Sequence, residues 1–183
     1  LGFVIVAVYS FFASEFQTER AAVITILVAL WGLRLGYYLF RRNWSKAEDY
    51  RYVNMRKRWG TTKSKYVKIF LNVYLLQLTL LFIIAQPIIT VNKSSEMGLG
   101  WLDYIGIAVW IIGYIFEVVG DSQLKAFISK PENKGRLMKY RLWKYTRHPN
   151  YFGEATMWWG IFIILLSVPN GWTGFYSPLI ITL

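Results

Sequence analysis

The sequence has no cysteine and only one histidine, His148. Disulfides and thiolate-held metal centres are therefore excluded, and so is a metal site built from several imidazoles. Acidic side chains are also scarce, with ten Asp and Glu against 21 Lys and Arg, for a net charge of +11. The nucleotide-binding signatures of soluble proteins are missing: no G-x-G-x-x-G follows a strand and there is no P-loop. Any dinucleotide site must then be built between helices.

Hydrophobic residues make up 55% of the chain and aromatics 19%. That composition with so strong a positive charge is typical of a multi-pass membrane protein with basic loops. The chain is long enough for one domain, residues 1–183. Residues 1–13 are apolar but shorter than the ~20 residues a span needs, and read as the end of a span that begins elsewhere. Apolar segments at 21–40, 66–91, 101–119 and 151–168 predict further spans, and the last residues enter another. The expected architecture is an all-α transmembrane bundle of about six or seven helices in the full chain, truncated at both ends. Gly98 and Gly100 mark one turn and Pro169-Asn170-Gly171 another.

Charge sets an expected orientation. Ten of the 21 cations fall in residues 41–68 and eight in 120–150, with only Arg20, Arg34 and Lys93 elsewhere. Two spans separate the basic loops 41–65 and 120–150, so both face one side, which the positive-inside rule makes cytoplasmic. The short loops 14–20, 92–100 and 169–171 fall on the other side. Such loops fit orientation and anionic lipid headgroups. They carry no nucleic-acid-binding motif. The first basic loop is rich in Arg, Tyr and Trp, which suits either an anion-binding surface or an amphipathic helix on headgroups.

Several polar residues lie inside or against the spans. A charge such as Arg34 costs ~2.5–3.5 kcal/mol near a helix centre and usually faces a bundle interior. It stands among Trp31, Tyr37 and Tyr38, with Tyr38 four residues on, and fits a structural role or a site role. Glu117 and Asp121 are four apart and share a helix face, with Gln123 and Lys125 close behind. They point to a polar ligand pocket or to pairing with nearby Lys and Arg.

The densest constellation is residues 143–158. Pro149 suits the first turn of a helix. From there Asn150, Glu154 and Trp158 recur every four residues on one face, with Tyr151 beside it. The helix start offers free N–H groups and a positive dipole end, which suits phosphate, and Arg147 and His148 add donors. An interfacial anchor explains Trp143, Tyr145 and Tyr151. It does not explain Asn150 with Glu154.

Trp143-x-Tyr145-Thr146-Arg147-His148-Pro149-Asn150-Tyr151-x-Gly153-Glu154, with Glu117-x-x-Gly120-Asp121-x-Gln123 and the stretch from Arg41 to Gly60, resembles bacterial membrane proteins of the DUF1295 type. That family is similar to the steroid 5-alpha-reductase and sterol-reductase superfamily. The resemblance implies an NADPH-dependent oxidoreductase that reduces a CH–CH double bond of an apolar, steroid-like or lipid substrate. It implies a bacterial inner-membrane location with the cofactor entering from the cytoplasm. Asp121, Asn150, Glu154 and Trp158 then match cofactor-contacting positions, while Glu117 stands where the steroid enzymes carry asparagine. With Glu117, Lys125, Tyr145, Arg147, His148 and Tyr151, these make the candidate cofactor-binding set. Arg34 and Tyr38 have counterparts near the catalytic groups of those enzymes, the catalytic tyrosine itself falling on Trp31. No metal is implied. The Arg-His-Pro-x-Tyr-x-Gly portion also resembles isoprenylcysteine carboxyl methyltransferases, which use S-adenosylmethionine. A lipid-binding protein without turnover is the third reading.

Overall fold

Side chains that must leave water and backbones that must pair internally leave helices as the economical solution for this composition. The computed structural model describes residues 1–44, 53, 54, 57 and 64–183, and all regular structure among them is helical. Helix α1 spans Gly2–Phe12 and α2 spans Glu19–Asn43. Helix α3, Ser64–Ile69, runs through a π-helical turn, Phe70–Leu75, into α4, Leu76–Asn92. Helix α5 covers Trp101–Ile128, α6 Pro149–Leu165 and α7 Tyr176–Thr182. The helices Glu19–Asn43, Tyr66–Asn92 and Trp101–Ile128 are long and apolar enough to cross a membrane.

Local chemistry sets most ends. Thr18 caps α2, its hydroxyl accepting from the Ala21 amide at 3.2 Å, and Arg41 and Arg42 suit the negative end of the helix dipole. Pro149 opens α6 as the sequence predicts. Two ends lie further out than hydropathy indicates. Helix α2 runs to Asn43, so Arg41 and Arg42 are helical. Helix α5 continues past Gly120 to Ile128, so the second basic connection starts at Ser129 and Lys125 belongs to the helix. Apolarity reports where a span leaves lipid; it does not report where backbone hydrogen bonding stops. The anion-binding reading of residues 45–63 lies outside the described residues apart from positions 53, 54 and 57.

The core gathers α1, α2, α4 and α6. Ile24, Val28, Ile88, Ile161 and Ile164 are buried there, and the Trp158 ring meets Trp31 and Phe3 edge-on at 5.7 and 5.0 Å. Asn92, fully buried, ties three helices together. Its amide donates to the Ala7 carbonyl of α1 at 3.0 Å and to the Ser10 hydroxyl at 2.8 Å, and it meets the Thr25 hydroxyl of α2 at 3.3 Å. Ser177 of α7 donates to the Ile84 carbonyl at 2.7 Å, beside the Pro87 interruption of α4.

The closest packing joins α5 and α6 along a glycine seam. Gly106, Gly113 and Gly120 recur every seven residues, as do Gly153 and Gly160. A Cβ on Gly113 would lie 2.6 Å from the Gly153 carbonyl oxygen, and one on Gly160 2.7 Å from the Gly106 oxygen. Apolar side chains gain little by leaving lipid for each other, so close backbone approach through small residues is what holds such a pair. A seven-residue repeat keeps one face turned toward the partner. The seam fixes register. It sets the backbone of Gly153 against that of Glu117, and Gly120 against the start of α6.

Candidate functional site

The buried face of α5 is a three–four stripe: Asp103, Gly106, Trp110, Gly113, Glu117, Gly120 with Asp121, and Phe127. Its polar members lie toward the two ends, and each end meets an arginine of α2. Arg20 pairs with Asp103 and Arg34 with Glu117, each pair 83 residues apart. Equal offsets mean that α2 and α5 run parallel in one register, with the two pairs ~21 Å apart at 1.5 Å per residue.

The Arg34 end is the candidate site. The guanidinium bridges two carboxylates, Nη1 to Glu117 Oε1 at 2.6 Å and Nη2 to Asp121 Oδ2 at 2.5 Å. The pairing reading of Glu117 and Asp121 is therefore the correct one for those oxygens, the partner being Arg34 rather than a loop cation. The other Asp121 oxygen accepts from Asn150 Nδ2 at 3.2 Å, so α6 joins the cluster at the face the four-residue spacing marks. Glu154 follows one turn later and has no hydrogen bond or ion pair among the described residues.

The cluster is not saturated. Among the described residues Glu117 Oε2 and Asn150 Oδ1 are buried without a hydrogen-bond partner, and so is the donor Trp31 Nε1. Buried polar atoms normally have partners, and leaving one unmade costs about 1–3 kcal/mol. Arg34 pairs with two of the three carboxyls, Glu117 and Asp121, and the Arg42 side chain lines the same cleft. Glu117, Asp121, Asn150 and Glu154 line a cleft of about 160 Å³, closed on the α2 side by Leu35, Tyr38, Leu39 and Arg42 and by Tyr151 at its mouth. Tyr38 stands between two cations, 5.4 Å from the Arg34 guanidinium and 5.9 Å from that of Arg42. Arg34, Tyr38 and Arg42 are spaced by four, a ladder along α2 of which Arg34 and Tyr38 stand among the expected site residues. Arg42 was legible from the same spacing; Leu35 and Leu39 carry no signal in a helix that is apolar nearly throughout.

The other expected site residues divide by place. Trp158 shares the Asn150–Glu154 face but lies a turn deeper, 1% exposed in the aromatic core, and presents nothing to the cleft. It is corrected to a packing residue: the stripe crosses from cleft to core between Glu154 and Trp158. Gln123 holds the basic connection to α5 instead of lining a pocket, its Oε1 accepting from the Leu142 amide at 3.2 Å. The Trp143 indole donates to the Gly120 carbonyl at 3.2 Å, so Trp143 is a clasp in addition to any interfacial part. These contacts, with Arg141 at a φ of 57°, turn the connection so that Pro149 lands on Gly120. The Asn150 amide then faces Gly120 and Pro149 is buried, which covers part of the helix start that suits phosphate. Arg147 and His148 are exposed beside it, with the His148 ring 5.2 Å from that of Tyr151. Tyr145 is exposed and lines neither this cleft nor the larger one on the other side of Tyr38. Lys125 is exposed and belongs to the larger one.

The family model described as protein of unknown function (DUF1295) matches residues 1–183, the whole sequence. The chain belongs to the DUF1295 family. No curated protein matches it, and no solved structure does. Among the described residues no group of three or more His, Cys, Asp or Glu has the arrangement of a metal site, despite the three carboxyls. Arg34 occupies the space between two of them, and a guanidinium there repels a second cation.

Proposed function

We propose that this DUF1295 protein is a membrane reductase that uses NADPH to reduce a double bond in an apolar substrate. One observation carries the reading: the acceptor-rich cleft, where Glu117 Oε2 and Asn150 Oδ1 are orphaned and Glu154 is unpaired among the described residues. Such a wall suits a ligand that brings N–H and O–H donors, as a carboxamide and ribose do. Asn150, Glu117 and Glu154 would hold the nicotinamide end, and Arg147 and His148, next to Tyr151 at the mouth, would meet phosphate. Bound there, the cofactor supplies a hydride.

The surplus of carboxyl over guanidinium has a second consequence. A reduced nicotinamide is neutral and becomes cationic as it gives up hydride. The Asp121 carboxylate and the oriented acceptor atoms of Glu117 and Asn150 favour that change, because the dipoles and charges are in place before the reaction. Arg34 limits the surplus and holds Glu117 and Asp121 in position. Tyr38, with its ring against two guanidiniums, is the group on α2 best situated to hold a proton near the same wall. In this reading the basic end of the bundle faces the cytoplasm of a bacterial inner membrane.

The surplus negative charge also suits the sulfonium of S-adenosylmethionine, which keeps the methyltransferase reading as the second one. Titration of purified protein with NADPH, NADH and S-adenosylmethionine separates them. The expected result is saturable NADPH binding that Asn150→Ala weakens. S-adenosylmethionine binding without NADPH binding would overturn the reductase reading. Binding of neither, with lipid bound, would leave the non-catalytic reading.

A further inference from the structure

A second and larger cleft, about 660 Å³, opens between α2 and α5 on the far side of Tyr38. It shares Tyr38, Arg42 and Asp121 with the acceptor-lined cleft, so the two adjoin at these residues. Its balance is different. Arg41, Arg42 and Lys125 stand at it with one carboxyl, Asp121, which Arg34 already pairs, and Val118, Leu124 and Ile128 form an apolar side. The only ion pairs among the described residues use Arg20 and Arg34, so these three cations have no carboxylate within 4 Å there. Two of them are steadied by rings instead, Arg41 at 6.0 Å from Tyr37 and Arg42 at 5.9 Å from Tyr38.

Neither half of this cleft explains a purely polar or a purely apolar occupant. A small hydrated anion matches the cations but gains nothing from Val118, Leu124 and Ile128. A neutral hydrocarbon matches those three and leaves three cations facing it. We propose that the cleft takes an anionic amphiphile, a chain-bearing phosphate or carboxylate, its head on Arg41, Arg42 and Lys125 and its chain along the apolar side. This narrows the substrate of the reductase proposed above to one whose apolar chain carries an anionic head, and rests on that reading for turnover; binding itself does not depend on it.

The test uses binding in neutral detergent with no nucleotide present, so that its failure is separate from any failure of the NADPH titration. The probes are dodecyl phosphate, phosphatidic acid, dodecylphosphocholine and inorganic phosphate. Dodecyl phosphate or phosphatidic acid should bind saturably, at least tenfold tighter than dodecylphosphocholine and inorganic phosphate. A preference for phosphatidic acid identifies a bilayer lipid as the occupant, and a preference for dodecyl phosphate a single-chain compound. The triple variant Arg41→Gln, Arg42→Gln, Lys125→Gln changes only exposed side chains and should lose tenfold or more. Leu124→Asn, with the cations intact, should weaken dodecyl phosphate and leave inorganic phosphate unchanged. Equal affinity for dodecylphosphocholine, inorganic phosphate as tight as dodecyl phosphate, or wild-type affinity in the triple variant would each overturn the proposal.

Discussion

The two arginine–carboxylate sites between α2 and α5 have the same chemistry and different bookkeeping of donors and acceptors. At one end Arg20 faces one carboxylate, Nε to Asp103 Oδ1 at 2.8 Å and Nη2 to Oδ2 at 3.0 Å. Its remaining donors reach the Glu96 and Gly98 carbonyls at 3.3 and 2.9 Å, and Asp103 also accepts from the Gly100 amide at 2.7 Å. Both residues are almost wholly buried and every charge is matched. At the other end one guanidinium serves Glu117 and Asp121 with Glu154 nearby, two buried acceptors are orphaned, and a cleft opens. A saturated buried pair holds a loop against a helix. An unsaturated one keeps interaction energy in reserve for a ligand. In the proposed reading that difference separates a structural arginine, Arg20, from one at a ligand site, Arg34, where the residue type and helix face do not.

The comparison breaks most visibly at the saturated end. Arg20→Ala leaves the buried Asp103 carboxylate without its counter-charge and two carbonyls without their donor, and breaking such a pair costs about 3–5 kcal/mol. Thermal unfolding in detergent should show a large fall in Tm, with NADPH affinity of the folded fraction unchanged; a loss of affinity without a loss of Tm would erase the distinction. The seam that keeps both ends in register comes next. Gly113→Ala drives a Cβ to 2.6 Å from the Gly153 carbonyl oxygen and should cost about 1–3 kcal/mol, read as a lowered Tm.

At the open end the effects should move from stability to binding. Glu154→Gln removes a carboxyl that has no partner among the described residues, so Tm should hold or rise slightly. NADPH affinity should fall by the equivalent of about 1–3 kcal/mol, roughly five- to 150-fold. A Tm drop matching that of Arg20→Ala would make Glu154 structural. The smallest effect is expected at the exposed rim. Arg147→Ala should weaken NADPH a few-fold and NADH less, in parallel titrations, if its charge meets the additional ribose phosphate; equal weakening would move that cation away from it.

Much of the open site was legible before any fold was known. Asn150 and Glu154 share a face by simple periodicity, Pro149 starts the helix, and Glu117 and Asp121 recur four apart at the end of an apolar run. The saturated site was not. Arg20 reads as a loop cation at the edge of a span and Asp103 as a residue after a turn, and nothing in either neighbourhood names the other. The signal that would have linked them is the stripe of Asp103, Gly106, Trp110, Gly113 and Glu117, together with Arg20 and Arg34 at the same fourteen-residue interval. Trp158 failed the other way, since its spacing marks the correct face while its depth along the helix takes it into the core.

By itself the sequence determined the class of molecule, the helical spans and the face of each helix that carries polar groups. Hydropathy, helix periodicity and glycine spacing are local properties, and every backbone in an apolar medium must satisfy itself locally. Tertiary structure alone decided which arginine meets which carboxylate, that one such site is closed and the other open, and that two clefts of different lining meet at Tyr38, Arg42 and Asp121. Those outcomes depend on helix register, which the glycine seam sets by allowing backbones rather than side chains to touch, and no single helix carries that information.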